Sequence, residues 1–101
     1  MEMTSQIRKQ LSAQAHDLNP VVIIGQNGVT DGVIGKIDES LTAHELIKIK
    51  FLEFKDEKQE LTDSICEKTE AQLVRIIGNI AILYRENPEK DKNKDKKNLK
   101  K

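Results

Sequence analysis

The spacing of apolar residues changes along the chain and predicts three helices and four strands. Apolar residues recur every three or four positions over 5–15, from 31 to about 44, and over 56–69, which is typical of amphipathic helices. Short apolar or alternating runs over 21–24, 46–52, 72–77 and 80–85 predict strands. Ser5 is the expected cap of the first helix, and Thr30 or Asp31 that of the second.

The strands are predicted to form one sheet. Strand–helix–strand order favours parallel neighbours, whereas Gly78-Asn79 between two apolar runs predicts an antiparallel hairpin. In the second strand, apolar side chains face one side, and Lys48 and Lys50 face the other. The order αβαβαββ therefore predicts an α/β two-layer fold with a mixed four-stranded sheet. Gly32 or Gly35 in the second helix would fit a close approach to this sheet.

Charge is distributed unevenly, although the 17 basic and 17 acidic residues cancel. Residues 86–101 contain seven lysines, four acidic residues and one apolar residue, so this segment is predicted to be a disordered lysine-rich tail. Residues 1–85, the predicted domain, keep a net charge of −3. Because a nucleic-acid-binding domain is usually basic, an anion-binding surface here has to be a local patch.

Cysteine and hydropathy restrict the class of protein. Cys66 is the single cysteine, which fits a reducing compartment, and we interpret it as a half-buried structural residue rather than a nucleophile. Without an 18-residue apolar run or a signal peptide, a cytoplasmic location and no membrane contact are expected. His16 and His44 each close a helix, where the dipole favours them. No catalytic constellation stands out, so we predict no enzyme activity, no metal and no cofactor.

The four residues Gly25-Gln26-Asn27-Gly28 separate a buried strand from a helix. Glycines allow a ligand to approach the backbone closely, and the unpaired amides of a helix start attract phosphate. The other interpretation is a tight turn that needs glycine for its geometry alone. The pattern lacks the lysine of a P-loop and the third glycine of a dinucleotide fingerprint. In KH domains, however, a Gly-x-x-Gly loop clamps the backbone of four nucleotides.

Basic side chains accompany this loop in the predicted fold. Lys48 and Lys50 share one side of a strand, and Arg8 and Lys9 are neighbours on the first helix. Such residues either line a nucleic-acid backbone or form an ordinary solvated surface, and the pattern leaves both possibilities open. Two further basic residues are predicted on the solvent side of the last two strands: Arg75, which we interpret as solvated, and Arg85.

Several segments in succession resemble the CRM domain, the chloroplast RNA splicing and ribosome maturation domain, and especially its single-domain bacterial form, the YhbY family. The resemblance runs from about residue 5 to residue 85. The matching segments, in family order, are Ala15-His16, Pro20-Val21-Val22, the Gly-x-x-Gly loop, Thr30, His44 to Lys48, and Gly78 with Leu83 to Arg85. The family fold is similar to the C-terminal domain of translation initiation factor three, in which the last strand is antiparallel to the others.

The resemblance implies a non-catalytic RNA-binding protein that binds ribosomal RNA in precursors of the large ribosomal subunit and assists ribosome assembly. We expect the protein to be a monomer. The RNA-binding residues would be Gly25, Gln26, Asn27, Gly28, Thr30, Arg8, Lys9, Lys48, Lys50 and Arg85. The alternative is a scaffold domain that joins a ribosomal particle through a protein, which accounts better for the net charge of −3. An enzyme acting on a small phosphorylated ligand is the third hypothesis.

Overall fold

Three helices and four strands make up residues 2–87, which are the part of the chain that the computed structural model describes. The helices are α1 (Ser5–Ala15), α2 (Asp31–His44) and α3 (Lys58–Thr69). The strands are β1 (Val22–Ile24), β2 (Leu46–Phe51), β3 (Gln72–Ile77) and β4 (Ile80–Tyr84). A short 3₁₀ helix, Lys55–Glu57, precedes α3. The predicted order αβαβαββ is confirmed.

The four strands form a single mixed sheet in the order β1-β2-β4-β3. β1 and β2 are parallel, whereas β4 lies between β2 and β3 and runs antiparallel to both. The last strand therefore has the orientation that the resemblance implied. Because β1 and β2 are parallel neighbours, the loops that follow them leave the sheet at the same edge.

Helices pack on both faces of the sheet. α2 and α3 cover one face, where the core includes Ile24, Ile37, Leu41 and Phe51. On the other face, Leu11 and Ala15 of α1 pack with Val74 and Ile82, and partly buried side chains surround them. The sheet with α2 and α3 thus forms the predicted two-layer arrangement, and α1 adds a partial third layer.

Helix caps agree with the sequence at α2 and differ from it at α1. Thr30 caps α2, since its hydroxyl accepts a hydrogen bond of 3.2 Å from the Val33 N–H. The expectation that Ser5 caps α1 is wrong, because the extended backbone of Thr4 brings the Thr4 hydroxyl to 3.1 Å from the Ile7 N–H. Ser5 is already the first helical residue.

A register shift in β3 changes which side its residues face. The shift lies between Leu73 and Arg75, and such bulges place an extra residue opposite one partner. As a result, Val74 packs in the cluster beneath α1, whereas Ile76 packs against the core beneath α2 and α3. Strict alternation along a strand would place both residues on one side of the sheet. Arg85 follows β4 instead of lying within it.

The glycines of α2 do not approach the sheet. Gly32 and Gly35 are exposed, and a Cβ built on Gly35 would have no neighbour within 4 Å. The nearest atom to a Cβ on Gly32 would be the Thr30 hydroxyl, at 3.7 Å. The predicted close approach is therefore wrong for both glycines.

The described chain ends with an anchored residue. The Asn87 N–H donates to a Glu45 carboxylate oxygen over 2.8 Å, and its side-chain amide donates to the Thr42 carbonyl over 2.7 Å. Ordered contacts thus extend two residues into the segment predicted as a tail, and the rest of that predicted tail lies outside the described residues. Between residues 2 and 87, no helix is long and apolar enough to cross a membrane.

Candidate nucleic-acid interface

Gly25-Gln26-Asn27-Gly28 forms a tight turn at the end of β1. The Gly28 N–H donates to the Gly25 carbonyl over 3.0 Å and closes the turn. Gly28 has a φ of +69°, a conformation that favours glycine, and Gly25 does not have a positive φ. Gln26 and Asn27 lie exposed at the tip, and among the described residues their backbone N–H groups have no acceptor. The tip thus presents backbone donors to a ligand.

The start of α2 is less suited to an anion than the turn. Thr30 uses its hydroxyl to accept from Val33, so one backbone donor of the helix start is already satisfied. Asp31 lies in the first turn of the helix, where its carboxylate is favoured by the helix dipole and repels phosphate. The geometry therefore favours the turn over the helix start as the phosphate contact.

A row of four side chains crosses the sheet on the face that α1 leaves open. Backbone pairing aligns Ile23 with Lys50, Lys50 with Ile80, and Ile80 with Ile77. We call these four residues the open row. Ile23 is 55% exposed and Ile77 54%, both high for large apolar side chains. Because Ile23 comes two residues before Gly25, the open row begins beside the turn.

Lys48 and Lys50 point to the same face but have different environments. The Lys48 ammonium donates to the carbonyls of His16 and Leu18, each at 3.0 Å, and so holds the end of α1 on the sheet. Lys50 is exposed, and the described residues provide no hydrogen-bond or ion-pair partner for it. Of this predicted pair, Lys50 is therefore the side chain available to a ligand.

The basic residues of α1 lie at the border of the open face. Ser12 and His16 line a depression together with Lys48 and the neighbouring isoleucines. Arg8 precedes Ser12 by four residues and so lies on the same side of the helix. Lys9 is exposed on the adjoining side.

Arg85 lies elsewhere and is engaged within the protein. Its guanidinium forms an ion pair of 2.6 Å with the Asp38 carboxylate and donates to the Thr42 hydroxyl over 2.8 Å. It also donates to the backbone carbonyls of Thr69 and Asp38, over 2.8 and 3.0 Å. These contacts connect the end of β4 to α2 and α3, on the opposite side of the sheet from Lys50. The structure brings the turn and Lys50 together, but not Arg85.

Acidic residues concentrate in the layer of α2 and α3. Ten of the thirteen acidic residues in residues 1–85 belong to α2, the 3₁₀ helix, α3 or the residues that end these helices: Asp31, Asp38, Glu39, Glu45, Asp56, Glu57, Glu60, Asp63, Glu67 and Glu70. The open face instead carries Lys48, Lys50 and Arg75. Summed charges of one sign create a local potential that differs from that of the whole molecule. The net charge of −3 is therefore compatible with a cationic patch.

Groups capable of other chemistry are few. Burial, and secondarily the Asp63 carboxylate, raise the pKa of the Cys66 thiol to about 11, which disfavours the nucleophilic thiolate. His16 and His44 lie at the ends of α1 and α2, as predicted. Within residues 2–87, no three His, Cys, Asp or Glu side chains group together as a metal site would require.

Comparison with known proteins identifies the family. The sequence model of the CRS1/YhbY (CRM) domain matches residues 3–85. The chain belongs to the CRS1/YhbY (CRM) domain family. The resemblance noted from the sequence is thus confirmed, over nearly the same residues.

Two bacterial relatives of this CRM domain are of similar length. A probable RNA-binding protein of Pseudomonas aeruginosa is 39% identical over 94 residues, which are 92% of this chain and 90% of the relative. An RNA-binding protein of Haemophilus influenzae is 43% identical over 91 residues, covering 86% and 92%. The solution structure of a candidate RNA-binding protein of Staphylococcus aureus is similar, with a TM-score of 0.76 and 35% identity, covering 87% and 93%.

Two features of the CRM domain surface were not predicted from the sequence. Phe54, assigned to a connection, lies against Gly28 of the turn. Ile23, counted as part of a buried strand, is mostly exposed. Its neighbours Val22 and Ile24 are buried, so buried and exposed residues alternate along β1, as they do in a strand that is covered on one face. The unbroken apolar run in the sequence did not show this alternation.

Proposed function

We propose that this CRM domain binds RNA without catalysing a reaction, through the turn at Gly25–Gly28 and the adjacent open sheet face. The observation that carries the proposal is the juxtaposition of unpaired backbone donors at Gln26 and Asn27 with the exposed Lys50. The names of the relatives, which describe RNA-binding proteins, support the same class of ligand.

Each part of this surface has a physical role in binding. Amide N–H groups at the turn donate to phosphate oxygens, which are strong acceptors. Lys50 supplies a charge that displaces counterions from the RNA backbone, and Arg8 and Lys9 extend the charged border. Two carboxylates, Asp31 and Glu53, lie in the segments beside the turn, and their negative charge limits the paths that the RNA backbone can take. RNA entering over the open face instead meets Lys50.

The finer proposal is that the RNA is ribosomal RNA in precursors of the large subunit, bound in the cytoplasm during ribosome assembly by a monomer. Its support is the family resemblance, together with the small basic patch that Lys50, Arg8 and Lys9 form within residues 2–87. A patch of this size suits a protein that recognises a local RNA structure. Recovery of the attached RNA after crosslinking in cells, followed by sequencing, tests this part directly.

The turn is tested by replacing both Gln26 and Asn27 with Asp. Two added carboxylates should weaken binding to a fluorescein-labelled stem–loop RNA by about tenfold or more, because they repel the phosphates. Fluorescence anisotropy measures the affinity, and circular dichroism checks that the fold persists. Unchanged affinity in a folded double variant would exclude the turn from the interface.

The charge contribution is tested by comparing Lys50→Ala with Lys68→Ala, an exposed lysine in the last turn of α3. Removing Lys50 should reduce the slope of log affinity against log salt by about 0.7 to 0.9, the value of one phosphate contact. The Lys68 variant should keep the wild-type slope. Equal slopes in all three proteins would place the interface away from Lys50.

A scaffold role through a protein partner is the competing proposal, and the acidic α2–α3 layer is what favours it. RNA binding through six or more phosphates should weaken by about a thousandfold between 50 and 200 mM salt. A flat response to salt would instead indicate that association with the particle depends on a protein contact.

A further inference from the structure

Phe54 is an exposed aromatic side chain outside the core. The residue is 41% exposed, whereas Phe51, three residues earlier, is 1% exposed. Phe54 belongs to neither of the two hydrophobic clusters that the helices form with the sheet. The packing of the core therefore does not account for a phenylalanine at this position.

The backbone of Phe54 adopts a conformation that large side chains rarely take. Its φ of 58° and ψ of 36° lie in the left-handed region, where Gly or Asn would be favoured. The position thus combines a strained backbone with an exposed apolar ring, and both are unfavourable for the free protein. Strained residues of this kind cluster at ligand-binding sites, which suggests that a ligand contacts the ring.

The ring lies directly beside the turn. A Cβ built on Gly28 would be 3.4 Å from Cε2 of Phe54 and 3.6 Å from its Cζ. These are ordinary van der Waals distances, so the ring edge rests beside the Gly28 backbone, and the positive φ of Gly28 rather than a lack of space favours glycine there. Leu52, two residues before Phe54, is also exposed, at 48%. Ile23 is exposed as well, and the Leu52 N–H donates to the Ile24 carbonyl, so the segments before the turn and before Phe54 run side by side and both carry exposed apolar residues.

We infer that the Phe54 ring stacks on an unpaired nucleobase of the RNA whose phosphates contact the turn. This inference rests on the proposed function and names the part of the RNA that the site binds. A flat apolar ring beside phosphate-binding amides matches a nucleotide, which carries a flat base next to its phosphate. Phenylalanine has no hydrogen-bonding group, so it stacks on any base without selecting one.

The same geometry excludes paired bases. Within a duplex, each internal base is stacked on both of its neighbours, so its faces are not accessible to a side chain. The expected ligand is therefore a loop, a bulge or a single-stranded end. A perfectly paired RNA would contact the turn and Lys50 through its backbone but would leave the ring unoccupied.

The test compares Phe54→Leu with Phe54→Tyr on two labelled RNAs. One is a stem–loop with an open loop, and the other is a fully paired duplex of the same length. Phe54→Leu should weaken stem–loop binding roughly 5- to 100-fold, the range of one lost base–aromatic stack, and leave duplex binding within about threefold of wild type. Phe54→Tyr keeps a stacking ring and should restore stem–loop affinity to within about threefold of wild type.

Leu18→Ala is the matched control, since Leu18 is an exposed apolar residue after α1, at the other end of the sheet. It should bind both RNAs like the wild type. A second measurement does not depend on mutation: stem–loops with 5-bromouridine in the loop are crosslinked by ultraviolet light, and mass spectrometry locates the modified peptide. Crosslinks should map to the peptide that contains Phe54.

The outcomes separate this inference from the proposed function. If the wild type binds neither RNA, the proposed function itself fails. If the Gln26 and Asn27 double variant loses affinity while Phe54→Leu binds the stem–loop like the wild type, the interface stands and stacking is wrong. Equal losses on stem–loop and duplex would also overturn stacking, since only the unpaired RNA offers a base.

Discussion

The two faces of the sheet differ in how much of them is covered. Beneath α2 and α3, Ile47, Ile49 and Phe51 of β2 are each at most 1% exposed. On the other face of the same strand, Lys50 is exposed and belongs to the open row. Alternate residues of one strand thus meet either a packed core or solvent. The candidate interface lies where the coverage ends.

Helix dimensions explain this difference. A helix with its side chains is about 10 Å wide, whereas neighbouring strands lie about 4.8 Å apart. One helix therefore covers roughly two strands, and four strands need two helices. The α2–α3 face has two helices, and the α1 face has one. Within residues 2–87, the uncovered half of that face is consequently a property of the architecture, and no described residue has to move before a ligand binds there.

The largest expected effect is on the free energy of unfolding. It compares one isoleucine from the covered face of the sheet with one from the open face. Ile49→Ala should lower the free energy of unfolding by about 2–5 kcal/mol, because it opens a cavity in a closed core. Ile23→Thr on the open row should change it by at most about 0.5 kcal/mol. Urea denaturation measures both, and Ile49→Val, with an expected cost of about 0.5–1.5 kcal/mol, serves if the alanine variant does not fold. Similar costs at both positions would contradict the comparison.

Arg85 and Lys50 extend the comparison to charged residues. Arg85→Ala should destabilise the fold by about 2–3 kcal/mol, because the guanidinium, 20% exposed, joins β4 to both helices of the covered side. Its RNA affinity should equal that of the wild type under conditions where it is folded. Lys50→Ala should show the reverse, with weakened RNA binding and unchanged stability. Loss of RNA affinity in folded Arg85→Ala would return Arg85 to the interface.

Two buried threonines of α3 should change the free energy of unfolding by smaller amounts and in opposite directions when each is replaced by valine. Among the described residues, the Thr62 hydroxyl is buried without a hydrogen-bond partner, whereas the Thr69 hydroxyl donates to the Ile65 carbonyl over 2.8 Å. Thr62→Val should therefore raise the free energy of unfolding by about 1 kcal/mol, and Thr69→Val should lower it by about the same amount. Thermal or urea unfolding distinguishes them, and a loss of stability in Thr62→Val would show that its hydroxyl is satisfied.

At neutral pH, the smallest expected effect on stability concerns the thiol on the covered side, because the thiol keeps its proton in both the folded and the unfolded chain. Burial raises the pKa of Cys66 to about 11 from 9.0, so at pH 8 the folded protein should react with Ellman's reagent more slowly than the protein in denaturant. Between pH 9 and about 11 the unfolded chain loses the thiol proton and the folded chain keeps it, so stability falls as pH rises. Cys66→Ser should lack this component, and an equal pH dependence in both proteins would contradict the raised pKa.

Local sequence patterns predicted the positions of the helices and strands well, but they predicted poorly what the side chains of these elements contact. The bounds of α1 and β3 agree with the sequence prediction, because periodicity and turn residues act over a few positions. The register shift in β3 was missed, since it depends on how Val74 packs beneath α1. The close approach to the sheet suggested for Gly32 or Gly35 occurs at neither glycine, because the sequence does not show how far a helix lies from the sheet.

For the candidate interface too, the sequence predicted some features and the tertiary structure decided others. The sequence alone identified the turn, the lysines of β2 and the family, because glycine spacing and motif order are carried by neighbouring residues. Tertiary structure decided that Lys48 holds α1, that Arg85 joins the helices and that Phe54 lies against Gly28. These roles depend on partners roughly 15 to 50 residues away in the chain, and packing brings such partners together. What a side chain is free to bind was therefore decided by the fold.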